Sequence, residues 1–201
     1  MIREITYDEV FDAQKHFRLL MECMSMPGKL NFIESSQLIS PEGINQATIL
    51  SGFALMNSDV SFYLDHRPAD VEDYLTVNTS AQRVSISKAD FIYMRGNRTG
   101  TMLSEANAGL DIYPESSAFI LLDLTKISKQ SFFPSIRIEL EGPGIDGTES
   151  VYVQGLDESF LKIIKDQYPT YPLGFDFILT SPDNAVFCIP RSSKIIWETI
   201  N

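Results

Sequence analysis

The sequence predicts an α/β fold in which residues 1–201 form a single domain with a mixed β-sheet flanked by helices. Segments with helical spacing of apolar residues are mixed along the chain with short apolar runs of strand length. Residues 118–124 are almost wholly apolar, which favours a strand buried on both faces. Residues 136–140 alternate between apolar and polar, which favours a half-exposed strand.

The first predicted element is a helix that follows a capping box. Thr6 has the side chain of an N-cap residue, and Glu9 stands three residues later. Pro27 and Gly28 end the helix. Its apolar stripe consists of Val10, Ala13, Phe17, Leu20, Met21 and Met24.

The middle of the chain predicts alternating helices and strands. Residues 43–56 have the pattern of a second helix, and residues 60–64 that of a strand. A short helix is expected over residues 69–75, because Pro68 suits a helix start. Short strands are expected over residues 83–86 and 91–94.

The last third predicts a strand, a helix and a hairpin. Residues 150–153 are expected to form a strand, with Val151, Tyr152 and Val153 in it, and Asp157 is placed to cap a helix that ends before Pro169. Two apolar runs then flank residues 181–184, whose Ser-Pro-Asp-Asn sequence is typical of a turn.

Charge and composition exclude several classes of partner. Sixteen Lys and Arg against 27 Asp and Glu give a net charge of −11, so a nucleic acid or an anionic membrane surface is not expected to bind. No run approaches the length of a membrane-spanning helix, and residues 1–5 do not begin a signal peptide. Cys23 and Cys188 lie in apolar runs and are expected to be buried, reduced thiols of a cytoplasmic protein.

The closing hairpin carries the strongest local concentration of positive charge. Its second run ends in Arg191, Ser192, Ser193 and Lys194, a set of donors suited to an anion such as a phosphonate or a nucleotide phosphate. The alternative is that Arg191 pairs with Asp176 on the partner strand, because opposite charges across a hairpin commonly pair.

The glycines at 142, 144 and 147 match G-x-G-x-x-G after a predicted strand. A dinucleotide site needs a helix directly after the glycines, whereas residues 148–153 are strand-like. A tight turn is the favoured interpretation, and a loop close to a ligand is the alternative. No P-loop, zinc motif or nucleophile elbow is present, so no cofactor, no metal and no catalytic residue is predicted.

Five blocks along the chain together resemble one protein family. The set resembles PhnH, the H subunit of the bacterial carbon–phosphorus lyase core complex, over essentially the whole length. The blocks are residues 12–21, 24–28, 142–145, 171–180 and 189–193.

The resemblance implies a role in phosphonate degradation. Such a subunit, with its G, I and L partners, supports the transfer of a ribose triphosphate moiety from ATP to methylphosphonate. The product is α-D-ribose 1-methylphosphonate 5-triphosphate. The resemblance also implies a homodimer and a fold like that of pyridoxal-phosphate-dependent transferases, without the cofactor.

Three hypotheses about function follow. In the first, which we favour, the chain is an assembly subunit that is not catalytic alone. In the second, it contributes anion-binding residues to a shared active site, namely Arg18, Gly142, Gly144, Asp176, Arg191 and Ser192. In the third, it is a stand-alone small-molecule binding protein.

Overall fold

The computed structural model describes residues 6–34, 37–38, 40–65 and 68–200, and these contain four α-helices and two β-sheets. Residues 1–5, on which the signal-peptide prediction rests, lie outside this part. The helices are α1 (Phe11–Ser25), α2 (Gln46–Leu55), α3 (Ala69–Thr79) and α4 (Glu158–Gln167). The strands are β1 (Asn31–Phe32), β2 (Ser61–Leu64), β3 (Gln82–Arg83), β4 (Phe91–Arg95), β5 (Phe119–Asp123), β6 (Lys126–Ser128), β7 (Ser135–Glu141), β8 (Glu149–Gln154), β9 (Asp176–Thr180), β10 (Ala185–Ile189) and β11 (Lys194–Ile200).

The larger sheet has seven strands in the order β1-β10-β9-β5-β4-β2-β3. Its five strands from β9 to β3 are parallel, whereas β10 and β1 add in antiparallel register. Ile120, Leu121 and Leu122 of β5 are all fully buried, so the apolar run marks a strand covered on both faces, as predicted. The predicted mixed sheet with flanking helices is therefore confirmed.

The smaller sheet has the antiparallel order β11-β7-β8-β6 and covers one face of the larger one. Ile138, Leu140 and Val151 from this sheet share a hydrophobic cluster with Ile92 and Leu122 from the larger sheet. The sequence pattern predicts one mixed sheet, so the second sheet corrects that prediction, and its strand β11 lies in a stretch to which no element was assigned. The expected likeness to pyridoxal-phosphate-dependent transferases has no support in these elements and stays a prediction.

The helices α1, α2 and α3 cover the opposite face of the seven-stranded sheet. Leu20 from α1, Leu50 from α2 and Leu75 from α3 belong to one cluster there. Cys23 and Cys188 meet in that layer as free, fully buried thiols, as predicted. Burial raises the pKa of Cys188, which keeps this thiol protonated.

Capping residues explain where α1 and α4 begin. The N-cap position of α1 is Val10, so the predicted cap at Thr6 is wrong, and Asp8 accepts hydrogen bonds from the N–H groups of Val10 and Phe11, both at 2.8 Å. Asp157 accepts from the N–H of Ser159 at 3.0 Å, and its predicted cap is confirmed. None of the helices in the described part of the chain has the length and apolar character needed to cross a membrane.

Candidate functional site

The arginine of the closing hairpin pairs with the aspartate of the neighbouring strand. Nε and Nη2 of Arg191 donate to Oδ2 of Asp176 over 3.1 Å and 2.6 Å, and the N–H of Arg191 donates to Oδ1 over 2.8 Å. The side chains of Arg191 and Asp176 are only 12% and 16% exposed. Asp176 begins β9 and Arg191 follows β10, so the hairpin itself brings the two charges together. The ion-pair alternative is therefore the arrangement found.

The remaining terminal nitrogen of this guanidinium ties the hairpin to two loops. Nη1 of Arg191 donates to the carbonyl oxygen of Pro114 at 2.8 Å and to that of Pro172 at 3.4 Å. Each guanidinium nitrogen thus has a protein acceptor, which gives Arg191 a structural function. This engagement weighs against the expected contact with an anion, which stays a prediction.

The glycine-rich loop joins β7 to β8 and presses against two other segments. A β-carbon built on Gly142 would lie 3.0 Å from the carbonyl oxygen of Ser192. One built on Gly144 would lie 2.1 Å from the carbonyl oxygen of Ser25, at the end of α1. A strand follows the loop, in agreement with the tight-turn interpretation.

The structure brings together only part of the predicted site. Asp176 contacts Arg191, and Gly142 lies against Ser192, so these four residues occupy one end of the closing hairpin. Arg18 lies on the exposed side of α1, where no described carboxylate forms an ion pair with it. The role of each residue in binding a ligand stays a prediction.

Sequence reasoning missed a polar cluster at the carboxyl ends of β5 and β9. The hydroxyl of Thr48 donates to Oδ1 of Asp123, and it lies 2.5 Å from the hydroxyl of Thr180. Asn45 donates its side-chain N–H to the carbonyl oxygens of Leu124 at 3.2 Å and Thr180 at 3.3 Å. The cluster fixes the start of α2 over the sheet. The signal in the sequence was that a polar residue, Asp123 or Thr180, follows each of two buried apolar runs.

We expect Thr48→Val to lower the free energy of unfolding by about 2 kcal/mol, because it removes one hydrogen-bond partner from the half-buried Asp123 and the buried Thr180. Urea denaturation of the purified protein measures this change. Thr76→Val, at an exposed position of α3, is the matched control and should change stability by less than about 0.5 kcal/mol. Equal effects of the two substitutions would contradict the buried network.

A comparison with protein-family models places the chain in a known group. The model described as "Bacterial phosphonate metabolism protein (PhnH)" matches residues 6–196. The chain belongs to the PhnH family. The resemblance found in the sequence is thereby confirmed.

Two curated relatives support this membership in PhnH. The chain is 25% identical over 192 residues to "Alpha-D-ribose 1-methylphosphonate 5-triphosphate synthase subunit PhnH" of Rhizobium meliloti (strain 1021), covering 94% of this chain and 92% of the relative. It is 27% identical over 184 residues to "Putative C-P lyase subunit protein HtxG" of Stutzerimonas stutzeri, covering 90% of this chain and 85% of that relative.

Three of the blocks that carry the PhnH resemblance meet in space. The end of α1 at Ser25 and Pro27 contacts Gly144, and Gly142 contacts Ser192 and Ser193. A block after the first helix, a mid-chain loop and the closing turn therefore form one junction. Close backbone packing accounts for the glycines in it without a ligand.

A separate pocket of about 640 Å³ lies beside α4 in this PhnH-family protein. Its walls are mostly apolar, with Leu103, Ile163 and Phe175 among them, and Lys162 stands at its side. The hydroxyl of Ser159 in its lining already donates to Asp157. None of the site residues predicted from the sequence lines it.

Proposed function

We propose that this protein is a subunit of the carbon–phosphorus lyase system. In this role it supports synthesis of α-D-ribose 1-methylphosphonate 5-triphosphate from ATP and methylphosphonate, as part of a complex rather than alone. The proposal is supported by the family match and by the names of the two relatives, one a synthase subunit and the other a putative lyase subunit.

The observation that carries an assembly role is a pair of exposed apolar surfaces. The first, the helix patch, is formed on α1 and just before it by Val10, Phe11, Phe17 and Met21. Phe11 is 75% exposed and Met21 is 57% exposed. Phe17 and Met21 are one helical turn apart, so their side chains lie side by side.

The second apolar surface, the loop patch, consists of Leu110, Ile112, Tyr113 and Tyr171. Ile112 is 77% exposed and Tyr171 is 60% exposed. The two loops that carry them are joined, because the N–H of Gly174 donates to the carbonyl oxygen of Ala108 over 2.9 Å. Contiguous exposed apolar residues mark interaction surfaces on soluble proteins.

Two patches suit an assembly subunit that contacts two neighbours. One would pair with a second copy of the chain, as the proposed homodimer requires, and the other would contact a further subunit of the complex. The engagement of Arg191 with Asp176 favours this role over a shared anion site at the closing hairpin.

Charge substitution in each patch tests the assembly role. We expect Phe17→Glu with Met21→Glu, or Ile112→Glu with Tyr171→Glu, to reduce recovery of co-expressed phosphonate-operon subunits, or of the homodimer, at least tenfold. Affinity co-purification and light scattering after gel filtration measure the two outcomes. Gln14→Glu, exposed on the same helix, adds charge without removing apolar surface and should leave assembly unchanged.

The isolated chain provides a second readout. We expect no adenine release from ATP and methylphosphonate by the purified protein alone, and release only when the other subunits are added. Turnover by the isolated chain would contradict the assembly role, as would normal assembly of both charge-substituted variants.

A further inference from the structure

A row of polar residues crosses the larger sheet where its parallel strands end. Arg95 ends β4 and pairs in register with Asp123, the last residue of β5, which in turn pairs with Thr180 of β9. Asp65 follows β2 and donates its N–H to the carbonyl oxygen of Tyr93, two residues before Arg95. Open α/β sheets bind ligands outside the carboxyl ends of their strands, so this edge is the place to search for a site.

The strand pattern places Arg95 on the face that carries α2. Side chains alternate along a strand, and Tyr93 belongs to the cluster beneath α1, α2 and α3, whereas Met94 belongs to the opposite cluster. Arg95 therefore emerges on the same side as Tyr93. Asp123 lies on this side too, because it accepts a hydrogen bond from Thr48 of α2.

The guanidinium of Arg95 differs in its surroundings from those of Arg137 and Arg191, the other half-buried arginines of the described part of the chain. Arg191, Arg137 and Arg83 each form an ion pair with a carboxylate. Arg95 is half-buried, yet within the described ranges no carboxylate lies within ion-pairing distance of it. A partly buried arginine without an ion-pair partner is costly, because its charge loses water while the neighbouring Asp123 compensates it only from beyond ion-pairing distance. An anionic ligand would supply that compensation.

Gly43 leaves room beside this guanidinium. A β-carbon built on Gly43 would lie 3.0 Å from Nη2 of Arg95, closer than ordinary packing allows. The φ angle of Gly43 is +84°, a conformation that suits glycine and strains other residues. The loop before α2 is thus shaped to let the arginine extend along the sheet edge.

We propose that Arg95 binds the oxyanion of a phosphonate or phosphate group at the carboxyl end of β4. A planar guanidinium recognises two oxygens of such a group at once. Asp123 lies beside the position in register and opposes excess negative charge, so binding is weak for the isolated chain and weakens further with salt. This site is separate from both apolar patches, so it adds a ligand to the proposed assembly role without depending on it.

Titration of the purified chain with methylphosphonate, inorganic phosphate and ATP at low ionic strength tests the site, by calorimetry or by ³¹P line broadening. We expect Arg95→Gln to weaken binding at least tenfold and Arg95→Lys to weaken it less, because lysine keeps the charge but not the paired donors. Arg98→Gln is the matched control, an exposed arginine in the loop that follows, and should change affinity less than twofold.

A second variant tests the shape of the site without removing its charge. Gly43→Ala should also weaken binding, because the added methyl group displaces the guanidinium. Methylphosphonate and ATP used separately distinguish a phosphonate from a nucleotide phosphate as the source of the oxyanion. Thermal unfolding of each variant shows whether the fold is retained.

Three results would overturn the proposal. They are absence of binding to any of the three anions, unchanged binding by a folded Arg95→Gln variant, and an equal loss in Arg98→Gln. If the chain binds none of the anions but co-purifies normally with the other subunits, the anion site is contradicted and the assembly role is not. If the chain binds an anion but does not co-purify with them, the assembly role is contradicted and the anion site is not.

Discussion

Replacing Asp176 by alanine is expected to lower the free energy of unfolding by about 3 kcal/mol, because removing one partner of a largely buried ion pair leaves the charge of Arg191 uncompensated. Asp176 accepts three hydrogen bonds from Arg191, two from its guanidinium and one from its backbone N–H. The same guanidinium also anchors the carbonyl oxygens of Pro114 and Pro172, so its displacement loosens two loops. Urea denaturation followed by fluorescence or circular dichroism measures the loss.

A double-mutant cycle and an exposed pair are the controls. The variant with both Asp176→Ala and Arg191→Ala should lose less stability than the sum of the single changes, because no charge is left unpaired. Glu141→Ala removes the partner of Lys194 in a pair that is more than half exposed, so its effect should stay below about 1 kcal/mol. Similar losses for Glu141→Ala and Asp176→Ala would contradict the structural role of the buried pair.

Gly144→Ala is expected to cost about 3 kcal/mol or more, through backbone strain and a steric clash together. The φ angle of Gly144 is +82°, which disfavours a side chain. The added β-carbon would also lie 2.1 Å from the carbonyl oxygen of Ser25, so the end of α1 would have to move. Denaturation in urea quantifies the effect.

Gly147→Ala separates these two causes within the same loop. The φ angle of Gly147 is +76°, but a β-carbon there would meet nothing within 4 Å. Only the backbone strain remains, so the expected loss is about 1 kcal/mol. If Gly144→Ala and Gly147→Ala lowered the free energy of unfolding equally, the contact between the glycine loop and α1 would make no contribution to stability.

Elements with a strong local pattern were predictable from the sequence. The run over residues 118–124 contains β5, because only a central strand can bury consecutive side chains on both faces, as it does at Ile120, Leu121 and Leu122. Asp157 became a cap, because its carboxylate has an N–H two residues away. By contrast, β11 and the second sheet escaped prediction, because the pattern of residues 194–200 is irregular and their burial depends on β7.

Less of the candidate site than of the secondary structure could be predicted from the sequence. The Arg191–Asp176 pair could be proposed as an alternative, because the two residues flank a recognisable hairpin. That no carboxylate of the described residues forms an ion pair with Arg95 could not be predicted, since it depends on where distant carboxylates lie in the fold. Likewise, the contact of Thr48 with Asp123 joins residues far apart in the chain and has no local signature.

The insertion of β10 between β1 and β9 has a consequence for biosynthesis. Asn31 and Phe32 find their hydrogen-bonding partners only in Val186 and Ala185, which the ribosome adds much later. Until then the face of α1 that packs against β10 stays uncovered and exposes apolar side chains. The order of synthesis therefore delays the contact of α1 with β10, although α1 can pack against α2 earlier, and a truncated nascent chain would retain an unpaired sheet edge.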